Sequence, residues 1–344
     1  MTELFQQRIR EAAARRSPLR LRGGGSKDFY GNAPRGEILD TRAYAGIVDY
    51  EASELVLTAR CGTPLKEIEA ALEAQGQCLP FEPPHFGAAT FGGCIAAGLS
   101  GPRRASAGAL RDYVLGVKLV DGRGRLLEFG GRVMKNVAGY DVSRLVAGSL
   151  GTLGLIAEAS LKVLPKPRVQ RTLGFELGER EAIEAMNRWA AQPLPLSASL
   201  WHAGRLCVRL SGAEASVSAA QRALGGSLDE DRLWESVREQ THPFFAGAEP
   251  LWRLSLPSTA APLAGPQLVE WNGGLRWLKS RAPAAEVRAA AAGAGGHATL
   301  FRSADKAAGA FAPLDPALMR LHLELKKAFD PQGILNPGRM YAEL

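Results

Sequence analysis

LRLRGGGSKDFYGN, residues 19–32, decides how the rest of this 344-residue sequence is interpreted. Its first four residues alternate in polarity, as a half-buried strand does. Three glycines, Gly23 to Gly25, follow, and Ser26 and Lys27 come directly after them. Glycines let several backbone N–H groups converge on one anion because no Cβ blocks the approach. Since Arg22 and Lys27 add positive charge and Ser26 adds a hydroxyl donor, the stretch predicts a phosphate-binding loop, with a flexible hairpin tip as the alternative.

Two well-known nucleotide motifs do not match this loop. A Walker A loop needs a lysine followed by Ser or Thr, whereas Lys27 follows Ser26 and precedes Asp28. A G-x-G-x-x-G dinucleotide motif would use Gly23 and Gly25, but its third glycine position holds Asp28. The residues that follow favour a turn over a helix. We therefore expect a phosphate nest between strands, without a helix dipole behind it.

Two later segments are also rich in small residues. PPHFGAATFGGCIAAGLSGPRR (83–104) allows close backbone approach and offers hydroxyls at Thr90 and Ser100. AGSLGTLGLI (147–156) contains a tight turn that leads into a strand. Two separated small-residue loops can bind an extended dinucleotide from both sides. The first of these segments has too few large side chains to predict an ordinary core element.

Composition narrows the function classes. The net charge is +7, and the basic excess is concentrated in residues 1–36 and 101–144. Such a field suits an anionic ligand, and it would also suit nucleic acid. Aromatic residues make up only 7% and no stacking motif interleaves with the basic runs, which disfavours nucleic acid as a partner. The four cysteines form no C-x-x-C pair, so we expect reduced thiols and neither zinc nor iron–sulfur ligation.

The chain length favours two domains. Residues 1–17 are expected to form a short surface helix rather than a secretory signal, because they lack an apolar h-region. No run of 18 apolar residues exists, so no transmembrane segment is expected. A helix is predicted after Thr63, with Thr63 as its cap and Pro64 in its first position. Pro165 and Pro167 mark the domain boundary, and beyond them hairpins and helices alternate, with turns at Ala203–Gly204 and Asn272–Gly273.

Taken together, four segments resemble the FAD-binding family of vanillyl-alcohol oxidase and p-cresol methylhydroxylase (the PCMH type). They are residues 22–31, 83–120, 135–167 and 329–340. The amino-acid sequences of residues 100–116 and 295–302 resemble those of the FAD-binding subunits of bacterial glycolate oxidases. The resemblance implies an α+β fold: a two-lobed PCMH-type FAD-binding domain (1–167), a cap domain of an antiparallel sheet plus helices (168–310), and a C-terminal helix and tail (311–344) that return to the FAD domain.

The resemblance also implies roles for individual residues. The loop from Arg22 to Lys27 would hold the FAD pyrophosphate, the second segment would line the other side of the cofactor, and Asn336 and Arg339 would lie near the isoalloxazine ring. Members with covalently bound flavin carry His directly after the glycines, so Ser26 predicts non-covalent FAD, with His85 as an alternative attachment site. The implied cofactor-binding residues are Arg22, Gly23, Gly24, Gly25, Ser26, Lys27, Thr90, Gly92, Gly93, Gly98, Ser100, Gly101, Gly108, Arg111, Asp112, Ile156, Asn336 and Arg339.

Catalytic residues are harder to recognise. Oxidation of a 2-hydroxy acid by flavin needs a base, a cation for the carboxylate and a hydride acceptor. The related metal-dependent dehydrogenases carry a histidine cluster in the cap, but no two of the five histidines here lie within ten residues, so no metal site is expected. His297 opens a predicted strand after two glycines and is the candidate base; Arg302 and Arg276 are candidate carboxylate clamps. Trp271 and Trp277 are expected in the core.

The expected function follows from the resemblance. The chain would be a cytoplasmic FAD-binding subunit of a complex that oxidises glycolate to glyoxylate, with peripheral contact to the inner membrane through the complex as an alternative. A homologous flavin subunit and an iron–sulfur subunit would be its partners. The alternative within enzymes is a self-sufficient FAD-dependent oxidase or dehydrogenase acting on another small hydroxylated molecule.

Overall fold

A computed structural model describes residues 1–131, 141–229 and 232–344. Residues 135–140, which belong to the third of the segments quoted above, lie outside the described residues. The first part of the chain contains, in order, α1 (Thr2–Arg15), β1 (Leu19–Arg22), β2 (Glu37–Asp40), β3 (Ile47–Glu51), β4 (Val56–Arg60), α2 (Leu65–Glu73), β5 (Gln77–Cys78), α3 (Phe91–Ala97), α4 (Arg104–Ala107), β6 (Val114–Val120), β7 (Leu126–Gly130), α5 (Val142–Leu145), β8 (Leu155–Lys162) and β9 (Leu164–Pro165).

These elements form two lobes. In one lobe, β1 and β2 pair in parallel. In the other, five antiparallel strands follow the order β3-β4-β8-β6-β7, and β8 is buried along almost its whole length. A core of leucine, isoleucine and phenylalanine side chains from α2, α3 and this sheet holds the larger lobe together. Burial of such side chains is the dominant favourable term in folding.

Sequence patterns predicted the first two helices, with one error. Phe5, Ile9 and Ala12 of α1 are buried on one face, which confirms the helix and shows that it is half-embedded. Helix α2 buries the expected apolar stripe but begins at Leu65, with Pro64 as its N-cap residue. The Thr63 cap was wrong, because the Thr63 hydroxyl donates to the Arg60 carbonyl instead.

The second glycine-rich segment does contain a core element, against expectation. Helix α3 starts after Thr90, whose hydroxyl accepts from the Gly93 N–H, and ends at Gly98, where φ is 64°. Its small residues are required by close packing: a Cβ on Gly92 would lie 2.6 Å from the Cβ of Cys61. The helix was missed because its stabilisation comes from this long-range contact and not from local helix propensity.

The second part of the chain is built on one large sheet. Its eight strands are antiparallel, in the order β13-β10-β12-β11-β15-β16-β14-β17. The turns predicted at Ala203–Gly204 and Asn272–Gly273 are both present, and Asn272 and Gly273 have the positive φ that favours these residues. The elements are β10 (Val169–Glu176), α6 (Glu179–Ala190), β11 (Leu196–His202), β12 (Arg205–Gly212), α7 (Glu214–Leu224), β13 (Ser227–Asp229), α8 (Arg232–Arg238), β14 (Leu251–Ser255), β15 (Gln267–Glu270), β16 (Leu275–Lys279), α9 (Ala284–Gly293) and β17 (His297–Arg302).

The two faces of this sheet have different neighbours. Helices α6, α7 and α9 cover one face, where side chains such as Val208 and Trp252 are buried. The other face packs against the first part of the chain. There Leu275, Trp277 and Phe301 share one core cluster with Tyr30 and Leu99. This packing joins the two parts of the chain through a shared apolar core.

The C-terminal segment returns to the glycine loop. Helix α10 (Pro316–Phe329) is capped by Asp315 and leads into a tail that pairs in parallel with β1 through Leu335 and Leu19. Lys326 anchors the helix: its buried ammonium donates to the carbonyls of Thr152 and Leu335, and pairs with Asp330 at 2.8 Å.

Candidate cofactor-binding site

The glycine loop (Arg22–Lys27) begins the connection from β1 to β2, two strands that run in the same direction. Strand β1 ends at Arg22, and β2 pairs with it in parallel. Since a hairpin joins antiparallel strands, the hairpin-tip alternative is wrong. The chain between β1 and β2 is therefore a parallel crossover connection. The backbone of its first residues, the glycine loop, lines the groove described below.

The three glycines are required by contacts with the second segment. A Cβ on Gly24 would lie 1.4 Å from the carbonyl oxygen of Ala88, and a Cβ on Gly23 would lie 2.1 Å from the hydroxyl of Thr90. Gly25 has a φ of 73°, in the left-handed region. The two glycine-rich segments are therefore in direct backbone contact, which explains why both are rich in small residues.

An open groove runs along this contact. One cavity, of about 590 Å³ including its open mouth, is lined by the glycine loop, Thr90, Gly93 and the tail. A second cavity, of about 380 Å³, adjoins it, shares Arg22, Gly93 and Leu150 as lining residues, and extends to Ile156. The predicted cofactor-binding residues that line the combined groove are Arg22, Gly23, Gly24, Gly25, Ser26, Lys27, Thr90, Gly92, Gly93, Ile156, Asn336 and Arg339.

Six predicted residues lie elsewhere. Gly98 ends α3 and packs on Gly148, where a Cβ would meet the Gly148 Cα at 2.7 Å. Ser100 and Gly101 line a different cavity, between the two parts of the chain. Gly108, Arg111 and Asp112 belong to a turn in which the Asp112 carboxylate accepts from the Ala109 N–H. These last three residues line none of the cavities discussed here.

Electrostatics around the loop favour an anion. Arg22 donates to Asp28 at 3.0 Å, and Arg20 pairs with the same carboxylate. Lys27 donates to the carbonyl of His85, and burial lowers the pKa of the Lys27 ammonium. Asp28 thus orients two arginines that flank the groove. In the sequence, Asp28 was recognised only as the residue that breaks the dinucleotide motif. The second of those arginines, Arg20, was not predicted as a site residue; its alternating strand position was the available signal.

The tail contributes the remaining polar side chains. Asn336 accepts from the Leu21 N–H at 2.8 Å and donates to the Leu150 carbonyl at 2.6 Å. Arg339 donates to the carbonyls of Lys27 and Asp28, and its burial lowers the pKa of the guanidinium to about 10. Both side chains brace the glycine loop at its base. Their expected position beside the isoalloxazine ring stays a prediction.

The two catalytic candidates lie at opposite ends of β17. His297 is exposed at the first position of the strand, and Arg302 occupies the last. At a rise of about 3.3 Å per residue their Cα atoms are roughly 16 Å apart, too far to hold the same small molecule together. The Arg302 guanidinium donates to the Gln240 side-chain oxygen and lies over the ring of Phe29. Partial burial and the neighbouring Arg253 lower the pKa of His297.

Arg276 lines neither the combined groove nor the cavity at Ser100 and Gly101. It is fully buried, and its guanidinium donates to the backbone carbonyls of Ala260, Ala261 and Gly273. Its hydrogen-bonding capacity is therefore used within the second part of the chain. Trp271 and Trp277 are buried, as expected for core residues.

The histidines and cysteines form no recognisable metal centre among the described residues. No group of three His, Cys, Asp or Glu side chains there could hold a metal ion. The rings of His202 and His242 lie 5.5 Å apart, a proximity that their separation in the sequence concealed. His85 is buried with its Nε2 3.0 Å from the Glu69 carboxylate. Within the described ranges, no helix is both long and apolar enough to cross a membrane.

Comparisons with known proteins agree with this geometry. The family model described as an FAD binding domain matches residues 2–130. Glycolate oxidase subunit GlcE of Escherichia coli (strain K12) is 50% identical over 346 residues, which covers 100% of this chain and 98% of the relative.

More distant relatives match only part of their length. Glycolate oxidase subunit GlcD of Bacillus subtilis (strain 168) is 35% identical over 46% of this chain and 34% of the relative. D-lactate dehydrogenase of Archaeoglobus fulgidus is 34% identical over 49% of this chain and 38% of the relative. The solved structure of alkyldihydroxyacetonephosphate synthase aligns with a TM-score of 0.67 at 15% identity, over 97% of this chain and 75% of that one, which shows a shared fold.

Proposed function

This chain belongs to the family of the glycolate oxidase subunit GlcE, and we propose that it is the FAD-binding subunit of a complex that oxidises glycolate to glyoxylate. FAD is its cofactor. The observation that carries the proposal is the contact of the glycine loop with the second segment, where Gly24 and Ala88 meet so closely that no side chain fits. Such a backbone-lined groove suits a pyrophosphate, because converging backbone N–H groups bind phosphate oxygens where no Cβ blocks the approach.

Different residues of the groove are proposed to contact different parts of FAD. We propose that the backbone N–H groups of the glycine loop bind the pyrophosphate, and that Ser26 and Thr90 add hydroxyl donors. Arg22 supplies positive charge while Asp28 fixes its direction. Ile156, at the far end of the groove, would contact the nucleotide end through its backbone. When bound, FAD supplies the hydride acceptor for oxidation of the hydroxy acid.

Attachment of the flavin is proposed to be non-covalent. Ser26 occupies the position at which covalent members carry His, and its hydroxyl forms no covalent link of that kind. The alternative, His85, is buried against Glu69 with its carbonyl bound by Lys27, which supports a structural role for that residue. The proposed domain division is an FAD-binding domain (1–167), a cap (168–310) and a C-terminal segment (311–344) that braces the glycine loop.

A simple experiment tests the cofactor. The purified chain should show flavin absorption in the visible range, and acid precipitation should leave the precipitate colourless and the supernatant yellow. Colour that stays with the precipitate would contradict non-covalent binding. A colourless protein that cannot be reconstituted with FAD would overturn the proposed function.

Electrons must leave this chain through other molecules. Its four cysteines are free in the structure, and they provide no ligand set for a cluster among the described residues. The names of the relatives, glycolate oxidase subunits GlcE and GlcD, support a complex of several subunits with a second flavin subunit. We propose an iron–sulfur subunit as the further partner, in a cytoplasmic complex whose contact with the inner membrane, if present, is made through its partners.

His297 and Arg302 are proposed to act separately. Arg302 is a positioning residue, because it holds the amide of Gln240 by its oxygen. His297 is the candidate for proton transfer at the other end of β17. Measurement of glycolate:dye activity with and without the co-expressed partners tells whether this chain carries substrate chemistry. In the active form, His297→Gln should lower kcat more than KM; unchanged kinetics would remove His297 from the mechanism.

A further inference from the structure

The turn at residues 28–32, called here the post-glycine turn, is tied directly to the glycine loop that precedes it. The Asp28 N–H donates to the carbonyl of Gly25 at 3.1 Å, and the Tyr30 N–H donates to the carbonyl of Lys27 at 3.0 Å. Asp28 also lines the cofactor groove. Because the turn and the loop share these backbone hydrogen bonds, a displacement of the turn moves the N–H groups that are proposed to bind the pyrophosphate.

Lys306, in the segment that follows β17, holds the post-glycine turn from the second part of the chain. Its ammonium donates to the carbonyl of Phe29, to that of Gly31 at 3.0 Å and to that of Phe301 at 3.2 Å. An ammonium has three N–H donors, so each of them has a backbone carbonyl as its acceptor. Phe301 belongs to β17 of the eight-stranded sheet, and Lys306 therefore ties the turn to a rigid element.

Aromatic packing brings the turn within reach of Lys306. The ring centroids of Phe29 and Tyr30 lie 5.4 Å and 5.3 Å from that of Phe301. Apolar contacts of this kind favour burial but are not directional. The convergence of three carbonyls on one ammonium adds the direction, because each hydrogen bond requires a defined angle at its acceptor. Lys306 thus sets the position of a turn that the aromatic rings only hold close.

The ammonium of Lys306 is half-buried and has no acidic partner. No carboxylate forms an ion pair with it among the described residues, and its acceptors are the three carbonyls. Burial lowers the pKa of Lys306 to about 8, and the guanidinium of Arg339, which approaches from the tail, lowers this pKa further. A buried charge without an opposite charge is costly. The three hydrogen bonds are what a lysine supplies here and an apolar side chain does not.

The other titratable groups around Lys306 have partners of their own or remain neutral. The Asp28 carboxylate pairs with an arginine of β1, and the Asp305 carboxylate accepts from a backbone N–H. Arg302 of β17 donates to the Gln240 side chain. Burial raises the pKa of Tyr30 and of Tyr341 above the ordinary value of 10, so both phenols are neutral below about pH 9. Lys306 is therefore the group at this contact that changes its charge just above neutral pH.

We propose that Lys306 is a positioning residue for the cofactor: its ammonium fixes the post-glycine turn against β17 and thereby holds the glycine loop in the conformation that binds FAD. This role rests on the proposed function and adds to it a control of FAD binding by the second part of the chain. FAD binds best to the form in which the turn is held, and that form is the protonated one. The contribution to affinity is thus complete well below about pH 8 and is lost as the pH rises through that value.

The pH dependence of the FAD affinity tests this role. The full-length apoprotein is titrated with FAD at about pH 7 and at about pH 9, and calorimetry measures the Kd. The protonated fraction of a group with a pKa of about 8 falls from about nine-tenths to about one-tenth between these conditions, so the wild-type Kd should rise roughly 10-fold. Lys306→Met should already bind at least roughly 10-fold more weakly at about pH 7, and its Kd should not change further with pH.

Two further variants complete the set. Lys66→Met is the matched control, because Lys66 is exposed on α2 and lines neither cavity of the cofactor groove; it should reproduce the wild-type profile. Lys306→Arg keeps its positive charge throughout this pH range, so its Kd should also be independent of pH. It provides the second variant where Lys306→Met does not fold.

Urea unfolding of the same apoproteins separates positioning from general stabilisation. A lysine that only stabilised the fold would, on replacement, lower the free energy of unfolding and leave the Kd for FAD and its pH dependence unchanged, which would overturn the proposed role. A pH dependence that persists in full in both Lys306 variants would also overturn it and would assign the titration to Lys27, whose pKa burial lowers as well. A wild-type chain that binds no FAD at either pH would refute the proposed function itself, whereas one that binds FAD equally at both would overturn only the role of Lys306.

Discussion

Replacement of Gly24 by alanine should remove FAD through a single methyl group. The Cβ of the new residue would lie 1.4 Å from the carbonyl oxygen of Ala88, whereas real Cβ contacts are essentially never shorter than 3.0 Å. The glycine loop and the second segment must therefore separate by at least about 1.6 Å, about three times the roughly 0.5 Å range over which N–H···O hydrogen-bond lengths vary. Donors shifted that far no longer reach the phosphate oxygens of a pyrophosphate.

The magnitude follows from the number of bonds lost. Each hydrogen bond to a charged group is worth about 1.5–3 kcal/mol, so loss of two would cost about 3–6 kcal/mol, or roughly 10²- to 10⁴-fold in the Kd for FAD. An aspartate at the same position would also repel the negatively charged pyrophosphate, so steric and electrostatic effects on FAD binding could not be separated. Alanine is the better probe, because it isolates the geometry of the loop.

The assay is the flavin-to-protein absorbance ratio after purification, followed by titration of the apoprotein with FAD. Gly293→Ala is the matched control, since a Cβ there meets nothing within 4 Å and the residue ends helix α9 in the cap. Circular dichroism checks that both variants are folded. Where the loop variant is unfolded, Lys27→Met tests the same loop without a backbone clash. A folded Gly24→Ala protein with the wild-type affinity for FAD would refute the assignment of the pyrophosphate site.

Three further predictions concern groups away from the loop backbone. Burial raises the pKa of Glu270 in the folded state to about 7, against 4.5 in the unfolded chain. The contribution of this carboxyl group to the free energy of unfolding is therefore complete below about pH 4.5, and about 3 kcal/mol of it is lost as the pH rises through about 7. Urea unfolding should accordingly show a smaller decline from about pH 5 to about pH 8 for Glu270→Gln than for the wild type; equal slopes would contradict the raised pKa. Lys326→Met leaves Asp330 buried without its partner and should lower the free energy of unfolding by about 3–5 kcal/mol, whereas exposed Lys327→Met should change it by less than about 0.5 kcal/mol. Arg339→Lys cannot reach the several carbonyls that the guanidinium holds and should weaken FAD binding; an unchanged Kd would show that the tail does not support the loop.

Local features were predictable where neighbouring residues set the geometry. The hairpin turn at Asn272–Gly273 depends on two residues that tolerate positive φ. The cap of α10 depends on Asp315 and the N–H groups that follow it. The close backbone approach at the glycine loop was likewise predictable, because it depends on consecutive glycines, whereas phosphate binding there stays a prediction.

Prediction failed where a residue is stabilised by distant partners. Helix α3 did not look like a core element, because its burial depends on contact with Cys61 and not on its own small side chains. Arg276 resembled a carboxylate clamp, but carbonyls 15 and 16 residues away occupy its guanidinium. The buried carboxyl of Glu270 carries no local sequence signal, since its burial and its hydrogen bond from Trp277 depend on how the large sheet packs.

The sequence alone predicted an anion-binding loop near residue 22, since conformational freedom and charge belong to consecutive residues. Only the tertiary structure decided what surrounds that loop. Asn336 and Arg339 reach it from a tail more than 300 residues away, and Ala88 closes against Gly24 from another segment. Such contacts depend on how the sheets and helices pack, so the spacing of residues along the chain does not reveal them. The cavity lined by Ser100 and Gly101 has the same origin, because residues from both parts of the chain line it.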